Sequence, residues 1–179
     1  MQGFVNFAAD IGQVIALLIP LLCYLCGGAF LVVSGWGLWH MHQPGSFWER
    51  HPWVPFATIF FAGALLSFDK MLTFGNATFG GGPKVGMTSS LTSYTAPRVD
   101  TSTLMGATPE ATLLNIINVF IYFFRSYGAL IVLLGVFSLK AVMEGRKRGG
   151  TGTSVVMIVF GFAVMNVDTI AAAVLTYFA

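Results

Sequence analysis

Apolar residues in this chain come in four long runs, not in the short alternation of half-buried strands or the one-sided stripes of soluble helices. The first run extends from Ile11 to Trp39 without a charge and contains Pro20. The second follows Pro52 and is uncharged from Trp53 to Phe68. The third, Leu113 to Leu139, encloses Arg125, and the fourth, Val155 to Phe178, encloses Asp168. A helix of about 20 apolar residues crosses the hydrocarbon core of a bilayer. The pattern therefore predicts an all-α membrane protein of four transmembrane helices, with a kink at Pro20.

These helices fall into two hairpins, residues 1–72 and 109–179, separated by a Gly/Ser/Thr-rich segment over 73–108. That segment lacks apolar periodicity and is expected to be an irregular, outward-facing loop. The sequon Asn76-Ala77-Thr78 inside it reads as accidental. Its end is better defined. Thr108-Pro109-Glu110 supplies an N-cap, a proline at the first helical position and an acid in the first turn, so the third helix is expected to start ahead of the membrane.

Composition excludes a soluble globule. Hydrophobic residues are 56% of the chain and charged residues 9%, against roughly 25% charged in soluble domains. The net charge of +2 does not point to sequence-specific nucleic-acid binding, because the basic residues gather at one turn: Lys140, Arg146, Lys147 and Arg148. By the positive-inside rule that turn is cytoplasmic. The loop from His40 to Pro52 then shares its side, and both termini and the 73–108 loop face out, which in a bacterial inner membrane is the periplasm. Residues 1–10 carry no Lys or Arg, so a cleaved signal peptide is not expected. Cys23 and Cys26 lie three apart in an apolar helix and read as packing residues.

The two hairpins resemble each other. GAFLVVSG at 28–35 matches GALIVLLG at 128–135, and IFFAGALLSFD at 59–69 matches IVFGFAVMNVD at 158–168. Asp10 and Glu110 match near the helix starts. A duplication accounts for these pairs, and an even number of spans per unit inserts both units in the same orientation. The second helix is then expected to continue past Asp69 and Lys70 to about Phe74, as its counterpart stays apolar past Asp168. Gly28 and Gly35, like Gly128 and Gly135, are seven apart and share a helix face, where glycine allows close helix approach.

An ionisable group inside the membrane is costly unless paired or hydrated. Arg125 precedes Lys140 by the same number of residues as Asp168 follows Thr153. Both side chains are thus placed at matching depth, roughly 22 Å along their helices at 1.5 Å per residue. They form a candidate ion pair, with Asp69 near the same level able to share Arg125 within the bundle or across a subunit boundary. His40, His42 and His51 lie in one loop with Glu49, but their neighbours Trp39, Trp48 and Trp53 fit an interfacial belt better than a metal site. No metal, cofactor or enzyme site is expected.

The second hairpin, from Leu139-Lys140 through the turn EGRKRGGTGTS at 144–154 to Met157, Gly161 and Asn166, resembles small polytopic proteins of type IVB secretion systems, the IcmC/DotE family, and the TraQ-type proteins of IncI conjugative plasmids. The resemblance covers mainly residues 115–170. It implies an inner-membrane subunit of a secretion or conjugation apparatus, acting in pilus assembly with other subunits of the machine, and carries no catalytic residues. The hairpins are also similar to conjugative pilins, which implies a homo-oligomeric, filament-forming protein with membrane phospholipid as a co-component. The competing reading is a small transporter or channel using Arg125, Asp69 and Asp168 as an intramembrane site.

Overall fold

The computed structural model describes residues 2–79, 109–146 and 150–178, and among them all regular structure is helical. Seven helices follow in order: α1 (Gln2–His40), α2 (Phe47–Arg50), α3 (Trp53–Leu66), α4 (Phe68–Phe79), α5 (Pro109–Met143), α6 (Thr151–Met165) and α7 (Val167–Phe178). α5 starts at Pro109, where a missing N–H costs nothing. α1 runs through Pro20 without interruption. At 39 and 35 residues, α1 and α5 are about 58 and 52 Å long. Both are long and apolar enough to cross a membrane unaided.

The other two runs are bent. α3 and α4 meet at 78°, and α6 and α7 at 77°. With 14 and 15 residues, α3 and α6 are only about 21–22 Å long, so each reaches spanning length only together with the helix beyond its bend. The bends fall at Ser67 and Asn166, where φ and ψ are −108° and 27–28° in both. At each, one residue ends one helix and starts the next. Ser67 N–H donates to the Gly63 carbonyl and its own carbonyl accepts from Met71 N–H, as Asn166 bridges Phe162 and Ile170. Serine and asparagine favour such cap positions. The expected continuation of the second helix to about Phe74 is met and exceeded, but through a break instead of a straight rod.

α4 also moves the start of the 73–108 loop. Residues 73–79 are helical, because tertiary contacts that no periodicity reveals hold them. Gly75 lies under the Phe162 ring, which a Cβ there would overlap, and Asn76 is buried. Residues 80–108 lie outside the described residues.

Within each hairpin the helices run antiparallel over small residues. A Cβ on Gly128 would come within 2.7 Å of the Gly161 carbonyl oxygen and 2.9 Å of Met165 N, and one on Gly135 would meet Ile158. Ser154 donates to Ser138 at 3.0 Å further along the same seam. In the first hairpin Gly27 meets Leu66 and the Ala62 carbonyl oxygen, and Gly37 meets Trp48 and Pro55. The two hairpins join side by side with α1 and α5 parallel: Gly12 lies under the Tyr122 ring, and Phe30 meets Phe137 edge-on. The shared core includes Ile19, Cys23, Phe61, Leu65, Tyr122 and Leu133. Outside it, α1, α3 and α6 present bare Leu, Val, Phe and Trp side chains, Val32 being 73% exposed. Long apolar helices with such a surface belong in lipid, and the chain is a membrane-embedded protein.

Candidate functional site: the charged bends and the buried end of α5

The charges inside the apolar helices sit at the bends. Asp69 and Asp168 each occupy the first turn of the helix that starts there, where the unpaired amides favour an anion. Asp168 adds a second partner: Arg125 Nη2 on α5 lies 3.1 Å from its Oδ2, both side chains being 26% exposed. Asp168 Oδ1 is buried with no partner among the described residues. Next to this pair Asn166, also buried, donates through Nδ2 to the Phe162 carbonyl and to Asn76 Oδ1, each at 2.9 Å. This Asn76–Asn166 clasp ties α4 of the first hairpin to the bend of the second.

Arg125 and Asp168 are therefore together, and Asp69 is not with them. Asp69 is half-buried, its backbone carbonyl accepts from Thr73 Oγ1 at 2.9 Å, and its carboxylate makes no ion pair among the described residues. At the level that matches Arg125, α1 carries Tyr24 and Leu25 and so offers Asp69 no arginine.

Lys140, expected in the basic cytoplasmic turn, stands before that turn in a helix. It lies in the last turn of α5, 8% exposed, paired with Glu144 and 4.1 Å above the Phe30 ring. Glu144 also accepts from Thr58 Oγ1 of α3 at 3.4 Å and faces Arg146 Nε at 3.2 Å. This buried cluster fastens the end of α5 to α1 and α3. Burial follows from the long aliphatic stem, which packs while the ammonium reaches an acid. Of the expected basic turn, Arg146 is exposed at the surface, and Lys147 and Arg148 lie outside the described residues.

The four expected packing glycines divide. Gly128 and Gly135 are in the α5–α6 seam, whereas Gly28 and Gly35 have open space where a Cβ would stand. The seam glycine of the first hairpin is Gly27. Aligning Gly27 with Gly128, and Ala62 and Leu66 with Gly161 and Met165, superposes the two contacts. The two seams thus share this contact, but with α1 one residue out of the register that matching the letters GAFLVVSG and GALIVLLG gives. Adjacent glycines at 27 and 28 leave the letters ambiguous, and only the neighbouring helix decides between them.

The loop histidines do not converge. His40 stacks on Trp36 with Nδ1 3.0 Å from its carbonyl oxygen, His51 leans on Phe47, and Glu49 accepts from Gly45 N–H. Among the described residues no three His, Cys, Asp or Glu side chains are grouped to hold a metal ion. An apolar hollow of about 270 Å³ lies between the start of α1 and the second quarter of α5, lined by Phe7, Ala8, Ile11, Phe120, Phe123 and Phe124. Compared with protein-family models, curated proteins and solved structures, the chain matches none.

Proposed function

We propose that this chain is a structural or assembly subunit of a type IVB-like secretion or conjugative-transfer apparatus in a bacterial inner membrane. It is a four-span protein of two like-oriented hairpins, with both termini periplasmic and both hairpin turns cytoplasmic. The reading rests on the likeness of residues 115–170 to the IcmC/DotE and TraQ-type proteins. The observation that favours a scaffold over a solute pathway is what the ionisable groups do. Arg125 closes on Asp168 and Lys140 on Glu144, each pair joining two turns or two helices. The hollow beside α1 is lined by apolar side chains alone, which suits a lipid chain better than an ion. A filament of such subunits, with phospholipid between them, is the pilin-like form of the same proposal.

One observation favours the second reading, a small transporter or channel: Asp69 is a half-buried carboxylate without an ion-pair partner among the described residues. Two experiments separate the readings. Deleting the gene in its host should abolish secretion or conjugative transfer, and the purified chain should co-isolate with other subunits of the machine. Reconstituted alone into vesicles, it should move neither protons nor alkali cations. Flux that Asp69→Asn removes would establish the transporter and overturn the scaffold.

A further inference from the structure

Each hairpin carries the same set of faces, but the chain uses only half of them. Inside the molecule the first hairpin docks on the second through two helix crossings besides the Thr58–Glu144 contact. α4 crosses α6, Gly75 receiving the Phe162 ring and Asn76 the Asn166 amide. α1 lies along α5, Gly12 beneath Tyr122. The residues that follow Tyr122 on that face of α5, namely Ser126, Ala129, Leu133 and Val136, are all buried.

The equivalent faces on the outer flanks are bare. In the register set by the bends, Gly75 corresponds to Val174 and Phe162 to Gly63. Val174 is 47% exposed on α7, and Gly63 is exposed on α3 with nothing near its missing Cβ. A ring over a glycine inside the chain thus corresponds to an isopropyl group and a glycine left unmatched on opposite flanks. Small still faces large, with the roles exchanged. On α1, in the register set by Gly27 and Gly128, the buried strip of α5 corresponds to Leu21, Leu25, Gly28, Val32 and Gly35. All but the half-buried Gly28 are exposed. The α5 residue equivalent to Gly12 is Leu113, itself exposed.

We infer that copies of this chain associate head to tail, the second hairpin of one copy packing on the first hairpin of the next as the first packs on the second within the chain. α7 then crosses α3 of the neighbour, Val174 over Gly63, and the outer face of α5 lies along the Leu21–Gly35 strip of α1. Gly28 and Gly35 become close-approach glycines after all, between copies instead of within one. The polar clasp is not repeated, since Leu175 and Ser67 stand where Asn76 and Asn166 do, so the contact between copies is weaker than the one inside. An interface of this heterologous kind builds a ring or a filament according to whether its rotation closes. The inference deepens the assembly reading by naming a second copy as the partner of these faces.

Disulfide trapping in membranes tests it. With Cys23 and Cys26 replaced by Ala, differently tagged Gly63→Cys and Val174→Cys chains are co-expressed and oxidised. A mixed dimer should form, while either variant expressed alone should give none, because a head-to-tail contact never pairs a position with itself. Gly28→Leu, whose Cβ meets nothing within 4 Å in its own chain, should leave accumulation unchanged and cut the mixed dimer at least tenfold. Self-dimers of the single-cysteine chains, absence of the mixed dimer, or a mixed dimer indifferent to Gly28→Leu would each overturn the inference. The assembly reading fails separately if Gly28→Leu removes the dimer and transfer continues at its normal rate.

Discussion

At the scale of single residues, the ion pair and the glycines make opposite demands. Arg125 and Asp168 are costly apart and tolerable together, because a lone charge in the bilayer centre costs about 2.5–3.5 kcal/mol on insertion scales. Arg125→Ala and Asp168→Ala should each lower the amount of folded protein in the membrane, and the double substitution should recover part of the loss; strictly additive losses would mean that the pair does not interact. At the α5–α6 seam the constraint is steric. Gly128→Leu must push α5 off the backbone of Gly161 and Met165, which costs about 1–3 kcal/mol or more. Gly28→Leu, by contrast, should leave the unfolding midpoint of the detergent-solubilised monomer unchanged. Equal destabilisation by the two would contradict the register that places Gly27, and not Gly28, opposite Gly128. The sequence pointed to Arg125 and Asp168 because charges in apolar runs are rare and must be matched in depth. It could not separate Gly27 from Gly28, since the difference lies in Leu66 and Ala62 on another helix.

At the scale of elements, hydropathy located the helices but not their bends. A one-residue break leaves the apolar run intact, and neither Ser67 nor Asn166 stands out among the small and polar residues of such segments. Pro20, the conspicuous candidate for a disruption, lies in a helix that continues on both sides. Asp69 and Asp168 were the clue, since an acid fits the first turn of a helix better than the middle of one. The two bends should differ in strength. Asn166 is buried and bonded to Asn76 and Phe162, while the exposed Ser67 shows no comparable side-chain contact among the described residues. Asn166→Ala leaves the buried Asn76 without its partner and should cost about 1–3 kcal/mol, measurable as a lowered thermal midpoint in detergent. Ser67→Ala should cost a cap only, on the order of 1 kcal/mol or less, and Asn76→Ala combined with Asn166→Ala should cost less than the sum of the two. A larger loss from Ser67→Ala than from Asn166→Ala would contradict this account of the clasp.

At the scale of the whole molecule, the proposed unit is the bent hairpin. Its helices were legible because apolar length marks each of them, and paired aspartates with near-constant spacing suggested the duplication. Its docking was not, because Phe162 over Gly75 and Lys140 over the Phe30 ring are contacts between segments far apart in sequence. The burial of Lys140 also narrows the orientation argument: its charge is matched by Glu144, so the positive-inside bias falls on Arg146, Lys147 and Arg148. In the proposed topology two like-oriented hairpins put both of their turns on the cytoplasmic side and residues 80–108 on the other. Membrane-impermeant thiol labelling of intact cells measures it directly, using Gln43→Cys, Thr151→Cys and Ser90→Cys in a chain whose Cys23 and Cys26 are replaced by Ala. Ser90→Cys should label in intact cells, and Gln43→Cys and Thr151→Cys should label only after the membrane is opened. Labelling of Gln43→Cys and Thr151→Cys from opposite sides would contradict the duplicated topology, and labelling of both in intact cells would invert its orientation.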